Sequence, residues 1–380
     1  MINQSEPQNT MDYTTKTRDE LLTLCKENQI KGCSSKKKAQ LIELLQLRMN
    51  NTAVLVQPAS VTVDINSASK VQPSPVTVDI NSVINVKSAN IKNINDVVCV
   101  FGDCMLELDK VSDKSIQSII IDPPYNIGKD TWDNIDNYIE WLTNIVLKLQ
   151  SKMKDNGSLF IFHNDMEQIS ELMVSIKKKS RLVFKQMIVW NKRFNGSKKK
   201  GFLDGFIVKN VLHNWNKMSE YILYYTFDNS WKLSQTRKEK NVAQLTISRE
   251  ILSKTNGLTG WYSNLETGKN LPTHDTIKPI TKHLGLTYEE LVPKYNNLKT
   301  DHSVWNYDIA ERCDVHVTPK PVDLLKNIIL HTTDPGDIIL DCFAGSGTIA
   351  DACINTNRKC IMIEKEKTYY DYITTKLKMP

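Results

Sequence analysis

The sequence lacks any long hydrophobic segment. No apolar run in its 380 residues approaches the ~20 residues that a membrane-spanning helix needs. The polar first ten residues contain no signal-peptide core. With 40% hydrophobic and 24% charged residues, the composition is typical of a soluble globular protein. We therefore expect a soluble, intracellular protein without a membrane partner; the cytoplasm, the nucleus and a viral origin stay open.

Metal-binding cysteine pairs are also missing. The eight cysteines never occur as CxxC, and no histidine and cysteine cluster has the spacing of a zinc site. We expect neither a disulfide framework nor a bound metal. A large charge imbalance is absent too, since 49 basic and 43 acidic residues give a net charge of +6. That value only weakly favours a polyanionic partner.

The N-terminal part predicts a small helical module followed by a linker. In residues 14–48, apolar positions recur at helical spacing on both sides of a lysine-rich turn, which predicts two short helices. The lysines Lys36, Lys37 and Lys38 near the second helix start suit phosphate contact. The segment resembles a SAP module, a two-helix DNA-binding motif; the alternative is a solvated lysine run. Residues 49–95 contain the repeat VQPASVTVDINS and VQPSPVTVDINS, and their composition predicts an extended tether.

From residue 97 onward, buried apolar runs alternate with amphipathic segments, which predicts an α/β sheet. The predicted strands are 97–101, 118–121, 158–162, 187–190, 221–226, 338–340 and 360–363. The predicted helices are 135–152, 166–179, 321–331 and 348–355. Between about 230 and 300 strands are absent and short helices return. We therefore expect a helical insertion within the sheet domain.

A strand, a glycine turn and a helix follow one another near the C-terminus. The strand ends at Asp341, and the turn contains Phe343, Gly345, Ser346, Gly347 and Thr348. Glycines let the backbone approach a ligand, and open α/β sheets bind ligands at the carboxyl ends of their strands. The next strand ends at Glu364, an acid placed to accept hydrogen bonds from ribose hydroxyls. A single GxG with little basic charge favours a cofactor that presents ribose and adenine. A plain packing turn and NAD binding are the alternatives.

The strand 118–121 ends at Asp122-Pro123-Pro124-Tyr125. This tetrapeptide resembles the catalytic motif of the amino-methyltransferases that modify nucleic-acid bases with S-adenosylmethionine. An amine conjugated to its ring is a poor nucleophile, so the site must draw the lone pair out of conjugation. Asp122 and the Pro123 carbonyl can accept the two amine hydrogens, and Tyr125 can stack on the extruded base. Positioning and electrostatics then supply most of the rate. A Pro-Pro turn closing a strand is the alternative.

The resemblance covers most of residues 97–375, in the circularly permuted β-class order with the catalytic motif first. It implies that Asp103, in GDCMLEL, lies near the cofactor adenine. It also implies that Thr318 and Lys320, in HVTPKPVDLL, help to hold the methionine end of the cofactor.

Two positions depart from the family pattern. Pro319 replaces the usual glutamine and removes a side-chain hydrogen-bonding group, whereas Cys342 replaces a proline and leaves the GxG intact. Aspartate rather than serine at the head of the catalytic motif favours adenine N6 over cytosine N4 as the methylated amine.

Two segments predict DNA contacts. A basic run without acids between 191 and 200 suits phosphate contact, although such a run is also typical of a solvated loop. Its cations are Lys192, Arg193, Lys198, Lys199 and Lys200.

The insertion resembles a phage-repressor helix-turn-helix, with 247–254 as first helix and 258–266 as recognition helix. The resemblance places Thr259, Trp261, Tyr262 and Asn264 in a DNA groove. Pro279 is expected to kink or shorten the following helix. A rigid packing insert is the alternative.

Together these features predict a Rossmann-like methyltransferase that moves a methyl group from S-adenosyl-L-methionine to adenine N6 in duplex DNA. The predicted parts are a SAP-like module (14–48), a linker (49–95), a catalytic half (96–230), the insertion (231–300) and a cofactor half (301–380). Cytosine N4 methylation, a non-catalytic DNA-binding regulator and RNA as substrate are the alternatives. A homodimer and a cognate restriction nuclease stay open as partners.

Overall fold

The computed structural model describes residues 13, 16–27, 37–39, 41–42, 45, 79–84, 91–94, 96–128, 133–205, 213, 215–251, 260–298, 302–311 and 319–379. The chain forms two compact units, Met1–Pro73 and Ser74–Pro380. None of the described helices is long and apolar enough to cross a membrane.

The first unit contains helix α1 (Arg18–Glu27) and further helical residues at 38–39, 41–42 and 45. Leu21 and Cys25 of α1 are buried together with Leu41 and Leu45, as the predicted helical spacing requires. The first predicted helix is confirmed, and the second lies only partly within the described residues. Lys37 and Lys38 are exposed, whereas Lys36 lies outside the described residues.

The second unit is built on a nine-stranded sheet with the order β1-β2-β9-β8-β3-β4-β6-β5-β7. Its strands are β1 (Ile91–Ile94), β2 (Val97–Phe101), β3 (Ile116–Ile121), β4 (Met153–His163), β5 (Leu182–Asn191), β6 (Ser219–Phe227), β7 (Val304–Asn306), β8 (Ile338–Asp341) and β9 (Lys359–Glu364). The five central neighbours from β2 to β4 run parallel, and β6 is antiparallel to both of its neighbours. The carboxyl ends of β3, β8 and β9 therefore meet at one edge of the sheet.

Helices cover both faces of this sheet. They are α2 (Ile80–Val83), α3 (Cys104–Glu107), α4 (Tyr138–Lys152), α5 (Met166–Lys179), α6 (Lys200–Gly205), α7 (Trp231–Glu239), α8 (Gln244–Ile251), α9 (Trp261–Glu266), α10 (Ile277–Leu284), α11 (Tyr288–Leu291), α12 (Val322–Thr332), α13 (Thr348–Ile354) and α14 (Lys367–Lys376). Successive strand residues alternate between the two layers: Ile119 and Ile121 belong to the core with α4 and α5, and Ile120 belongs to the core with α12 and α14. The predicted α/β class with helices on both faces is confirmed.

All seven predicted strands are present, but the linker prediction is wrong at its C-terminal end. Asp79 caps α2 by accepting a hydrogen bond from the Asn81 N–H, and Ile80 and Val83 are buried in the sheet core. Residues 91–94 form β1, which pairs with β2. The second copy of the repeat therefore ends inside the folded unit, where its Ile80 is buried in the sheet core.

The predicted insertion forms its own small core on α7 to α11, with Leu233, Tyr262, Leu265, Ile280 and Leu284 among its buried residues. The helices differ in detail from those predicted. Helix α8 begins before residue 247. Pro279 is the third residue of α10, in the first turn, where a missing N–H breaks no intrahelical bond, so the predicted kink is wrong.

The insertion contacts the start of β4. Lys232 Nζ donates to the Asp155 carboxylate (2.6 Å), and the Lys294 N–H donates to the Asn156 carbonyl (2.8 Å). Just before the insertion, the Asn229 side-chain amide donates to the Asp155 carbonyl (2.7 Å). Because β4 is parallel to β3, its start lies at the edge of the sheet opposite the Asp122 end of β3. The two edges are roughly 20 Å apart along the strand.

Candidate active site

The catalytic and cofactor motifs predicted from the sequence meet in one cavity at the carboxyl edge of the sheet. Strands β3 and β8 are hydrogen-bonded neighbours, so the residues that follow them are adjacent. A cavity of about 380 Å³ is lined by residues from both motifs, among them Asp103, Asp122, Pro123, Pro124, Tyr125, Lys320, Phe343, Gly345 and Glu364. Its size lies in the range of small-molecule sites.

Asp122 is held by two side chains from different parts of the chain. The Tyr125 hydroxyl donates to Asp122 Oδ1 (2.6 Å), and Lys320 Nζ donates to Asp122 Oδ2. Glu220, at the start of β6, lies 3.2 Å from the Tyr125 hydroxyl and 3.5 Å from Lys320 Nζ. Burial lowers the pKa of Lys320, but the carboxylates of Asp122 and Glu220 more than offset this and raise it above its ordinary value. The lysine is therefore a cation between two carboxylates.

The segment after Tyr125 is fixed by reciprocal hydrogen bonds. Asp133 is 1% exposed and accepts from the Asn126 N–H (2.7 Å) and the Ile127 N–H (3.1 Å). The Asn126 side chain accepts in turn from the Ile135 N–H (2.7 Å). Asn126 has φ 53°, a left-handed conformation that asparagine tolerates better than most residues. These bonds order the wall of the cavity next to the catalytic motif.

The glycine turn lies at the other end of the cavity. Gly345 and Gly347 have φ of 52° and 68°, which favours glycine at both positions. The Gly345 N–H donates to Glu364 Oε2 (2.7 Å) and the Glu366 N–H donates to Glu364 Oε1 (2.8 Å). Burial raises the pKa of Glu364 to about 7, although both N–H bonds oppose this shift.

The other predicted cofactor residues surround this turn. Burial raises the pKa of Asp341 to about 8, against a hydrogen bond from the Phe343 N–H. Asp103 caps α3 and pairs with Lys365 at the cavity wall. Ser346 and Thr348 bond each other (2.7 Å) and line a small adjoining cavity. Thr318 lies outside the described residues, and the observed partners of Lys320 are carboxylates of the catalytic end.

Comparison with known proteins identifies the family. Residues 116–375 match the model of the N6/N4 methyltransferase family, whose members are described as DNA methylases. The chain belongs to this DNA methylase family. It is 29% identical over 281 residues to the Type II methyltransferase M1.MboII of Moraxella bovis, covering 70% of this chain and 91% of that protein. It is also 29% identical over 282 residues to the DNA adenine methyltransferase YhdJ of Escherichia coli strain K12, covering 71% and 79%.

A solved structure of low sequence identity shares the fold. The cytosine-N4-specific PvuII DNA methyltransferase superposes with a TM-score of 0.50 at 13% identity, over 75% of this chain and 88% of that one. This likeness confirms the α/β methyltransferase architecture.

In this DNA methylase, the basic run is partly paired within the protein. Lys192 donates to Glu220, which lines the cavity, so its charge is paired inward, and its phosphate contact stays a prediction. Arg193 forms two hydrogen bonds with Asp204, and Lys199 pairs with Glu311 (3.1 Å). The sequence reading missed these pairs because the acids lie outside the run. Lys198 is exposed and Lys200 half-buried. Both follow the end of β5, which runs in the same direction as β3 and β4, so they lie on the side of its carboxyl end.

The predicted groove residues of the insertion do not form one exposed surface. Tyr262 is 1% exposed and belongs to the insertion core, so its predicted groove contact is wrong. Its place in the helical pattern is that of a core residue. Trp261 is half-buried against the same core, and Asn264 is half-buried. Thr259 lies outside the described residues.

The sequence reading also missed residues that the structure places in the site. Glu220 is the second residue of β6 and immediately precedes the predicted strand 221–226; a buried acid at a strand end is itself a signal of a functional site. Asp133 and Trp141 line the cavity as well. Their spacing from the motif carries no pattern that sequence reasoning could use.

Proposed function

We propose that this DNA methylase transfers a methyl group from S-adenosyl-L-methionine to the N6 amine of adenine in duplex DNA. The observation that carries the proposal is the continuous cavity between Asp122 and Glu364. One end supplies hydrogen-bond acceptors for a base amine, and the other supplies an acceptor for ribose hydroxyls. A methyl donor that spans the two ends brings its methyl group next to the amine.

The residues of the cavity fit this cofactor. The ribose end presents the Glu364 carboxylate, which is 6% exposed, beside a glycine turn that lets the backbone approach. Phe343 and Trp141, whose ring centroids lie 5.8 Å apart, supply aromatic surface. Asp103 lies at the same wall, whereas Lys320 lies at the catalytic end. S-adenosyl-L-methionine, when bound, supplies an electrophilic methyl group for a single in-line displacement.

The chain's own residues perform the remaining steps on a base flipped from the duplex. A carboxylate has about four lone-pair sites, so Asp122 can keep Tyr125 and Lys320 and still accept from the amine. The Pro123 carbonyl accepts the second amine hydrogen. With both hydrogens held, the nitrogen lone pair would point toward the methyl group that the cofactor would supply, and Asp122 would accept the one proton that the methylated amine releases. The predicted stacking role of Tyr125 is part of this proposal, and its ring is buried at the cavity wall.

Several surfaces are proposed to hold the DNA. Lys198 and Lys200 are at the same edge of the sheet as Asp122, which suits phosphates beside the flipped base. The SAP-like module and the repressor-like insertion are proposed to add contacts. Because the insertion docks on Asp155 and Asn156 at the far edge, we assign it to duplex outside the target site.

The identity of the base is the point to test first. Asp122 at the head of the motif and the similarity to the adenine methyltransferase YhdJ favour adenine; cytosine N4 methylation is the second candidate. Purified protein is incubated with unmethylated DNA and methyl-labelled S-adenosyl-L-methionine, and the nucleosides are identified by mass spectrometry. Asp122→Ala is compared with Asp323→Ala, which removes an exposed carboxylate on α12.

Each outcome separates the candidates. N6-methyladenine from the wild type and Asp323→Ala, but not from Asp122→Ala, supports the proposal. N4-methylcytosine as the product would support the proposed site but show that the methylated base is cytosine. DNA and cofactor binding without methylation by the wild type favours a non-catalytic regulator.

A further inference from the structure

The two prolines of the catalytic motif create a structural problem that the chain solves from outside the motif. Neither Pro123 nor Pro124 has a backbone N–H, so this segment cannot be anchored by donating hydrogen bonds of its own. The ring fixes φ at each residue but leaves ψ free to turn the carbonyl groups. A carbonyl that must accept an amine hydrogen needs its peptide plane held.

A buried hydrogen-bond chain reaches this segment. The hydroxyl of Tyr138, at the start of α4, donates to the Pro124 carbonyl (2.7 Å). The same hydroxyl lies 2.9 Å from Nε2 of His163, the last residue of β4. The two side chains are 5% and 0% exposed, so water does not compete with these bonds.

The donor and acceptor roles of Tyr138 and His163 follow from the hydrogen bond at His163 Nδ1. The Asp165 N–H donates to His163 Nδ1 (3.1 Å), so Nδ1 is an acceptor and carries no proton. In a neutral imidazole the proton is then on Nε2, which donates to the Tyr138 oxygen. Burial lowers the pKa of His163 to about 4, against the attraction of Asp165 and Asp122, so the ring is neutral at physiological pH. The Tyr138 hydroxyl therefore accepts from His163 and donates its own hydrogen to the Pro124 carbonyl.

We propose that Tyr138 and His163 are positioning residues that hold the Pro124 peptide and thereby aim the Pro123 carbonyl and Asp122 at the base amine. The inference rests on the proposed methyl transfer and extends it to residues outside the motif. Neither side chain touches the reacting atoms in this account. A displacement of about 1 Å in a catalytic group can cost about 100-fold in rate. We therefore expect a loss of about 10- to 100-fold in kcat when the hydrogen bond from Tyr138 to the Pro124 carbonyl is removed.

Tyr138→Phe tests the inference with a matched control. The substitution removes one oxygen and keeps the ring. Tyr225→Phe makes the same change at a residue that is 2% exposed and whose hydroxyl has no hydrogen-bond partner within the described part of the chain. For both variants we would measure kcat, the KM for DNA, the Kd for S-adenosyl-L-methionine and the melting temperature.

The expected result is a fall in kcat of about 10- to 100-fold for Tyr138→Phe, with KM and Kd within about twofold of the wild type, and wild-type kcat for Tyr225→Phe. His163→Leu completes a double-mutant cycle. Because both residues act through the Pro124 carbonyl, the double variant should lose no more than the larger single loss.

Three results would overturn the inference. One is a kcat for Tyr138→Phe within about twofold of the wild type. Another is an equal loss in Tyr225→Phe, which would assign the effect to the loss of any buried hydroxyl. The last is full additivity in the cycle. If the wild type itself does not methylate DNA, the proposed function fails and this inference falls with it.

Discussion

The raised pKa of Glu364 makes the free energy of unfolding depend on pH in a way that one substitution removes. The carboxyl has an ordinary pKa of 4.5, and burial raises it to about 7 in the fold. Between these values the folded state binds more protons than the unfolded state, so the free energy of unfolding falls as the pH rises. The difference between the two pKa values corresponds to about 3 kcal/mol. Above about pH 7 the free energy of unfolding has fallen by this whole amount.

Glu364→Gln replaces the ionisable group with a neutral amide of the same shape. We expect the variant to lack this fall, so that its free energy of unfolding exceeds that of the wild type progressively from pH 4.5 to pH 7. Asp341 also has a raised pKa, of about 8, chiefly because it is buried, and this contribution is common to both proteins; the Glu364 charge is a smaller cause of the same shift, so only that smaller part changes in the variant. The assay is urea unfolding without cofactor at intervals between pH 4.5 and pH 8.

Glu171→Gln serves as the control, since it removes an exposed glutamate on α5. Its pH profile should follow that of the wild type. The reasoning is refuted if Glu364→Gln and the wild type give parallel profiles across this pH range. In the proposed function the same variant should bind S-adenosyl-L-methionine about 10-fold more weakly, because a charged acceptor bonds ribose hydroxyls more strongly than an amide does.

Three further predictions concern other parts of the unit. Lys192→Met should lower kcat with little change in the salt dependence of DNA binding, since Lys192 pairs inward, whereas Lys200→Met should reduce the salt slope by about 1 in anisotropy titrations. Tyr262→Ala should destabilise the insertion by about 3 kcal/mol in urea unfolding, because a buried aromatic ring is lost. Gly347→Ala should lower the melting temperature, because a Cβ there lies 2.9 Å from Ile373 at φ 68°; an unchanged value would contradict the packing argument.

The parts of the fold that were predictable are those with strong local patterns. The buried strand 118–121 and the helix 166–179 have apolar spacing that only one element type satisfies, and both are present. The motifs at the strand ends were predictable for the same reason, since parallel topology brings their carboxyl ends together. β7 was missed because three residues carry too little pattern, and it forms only by pairing with β5.

The parts that were not predictable depend on long-range pairing. Lys192 resembles a phosphate ligand in its local sequence, but its partner Glu220 is contributed by a different strand. Tyr262 resembles a groove residue until the helices around it form a core. His163 directly follows the predicted strand 158–162, and its contact with Tyr138 depends on how β4 and α4 pack. Charge pairs and buried relays between distant elements leave no periodic signal in the sequence.

In the proposed mechanism, Asp122 accepts a hydrogen bond from the base amine and so makes it a nucleophile. The most direct measurement is the single-turnover rate of methyl transfer to DNA for the wild type and Asp122→Asn, with the Kd for S-adenosyl-L-methionine measured on the same preparations. We expect the rate to fall by about 100-fold or more, with a Kd within about twofold of the wild type. A wild-type rate in Asp122→Asn would contradict this mechanism.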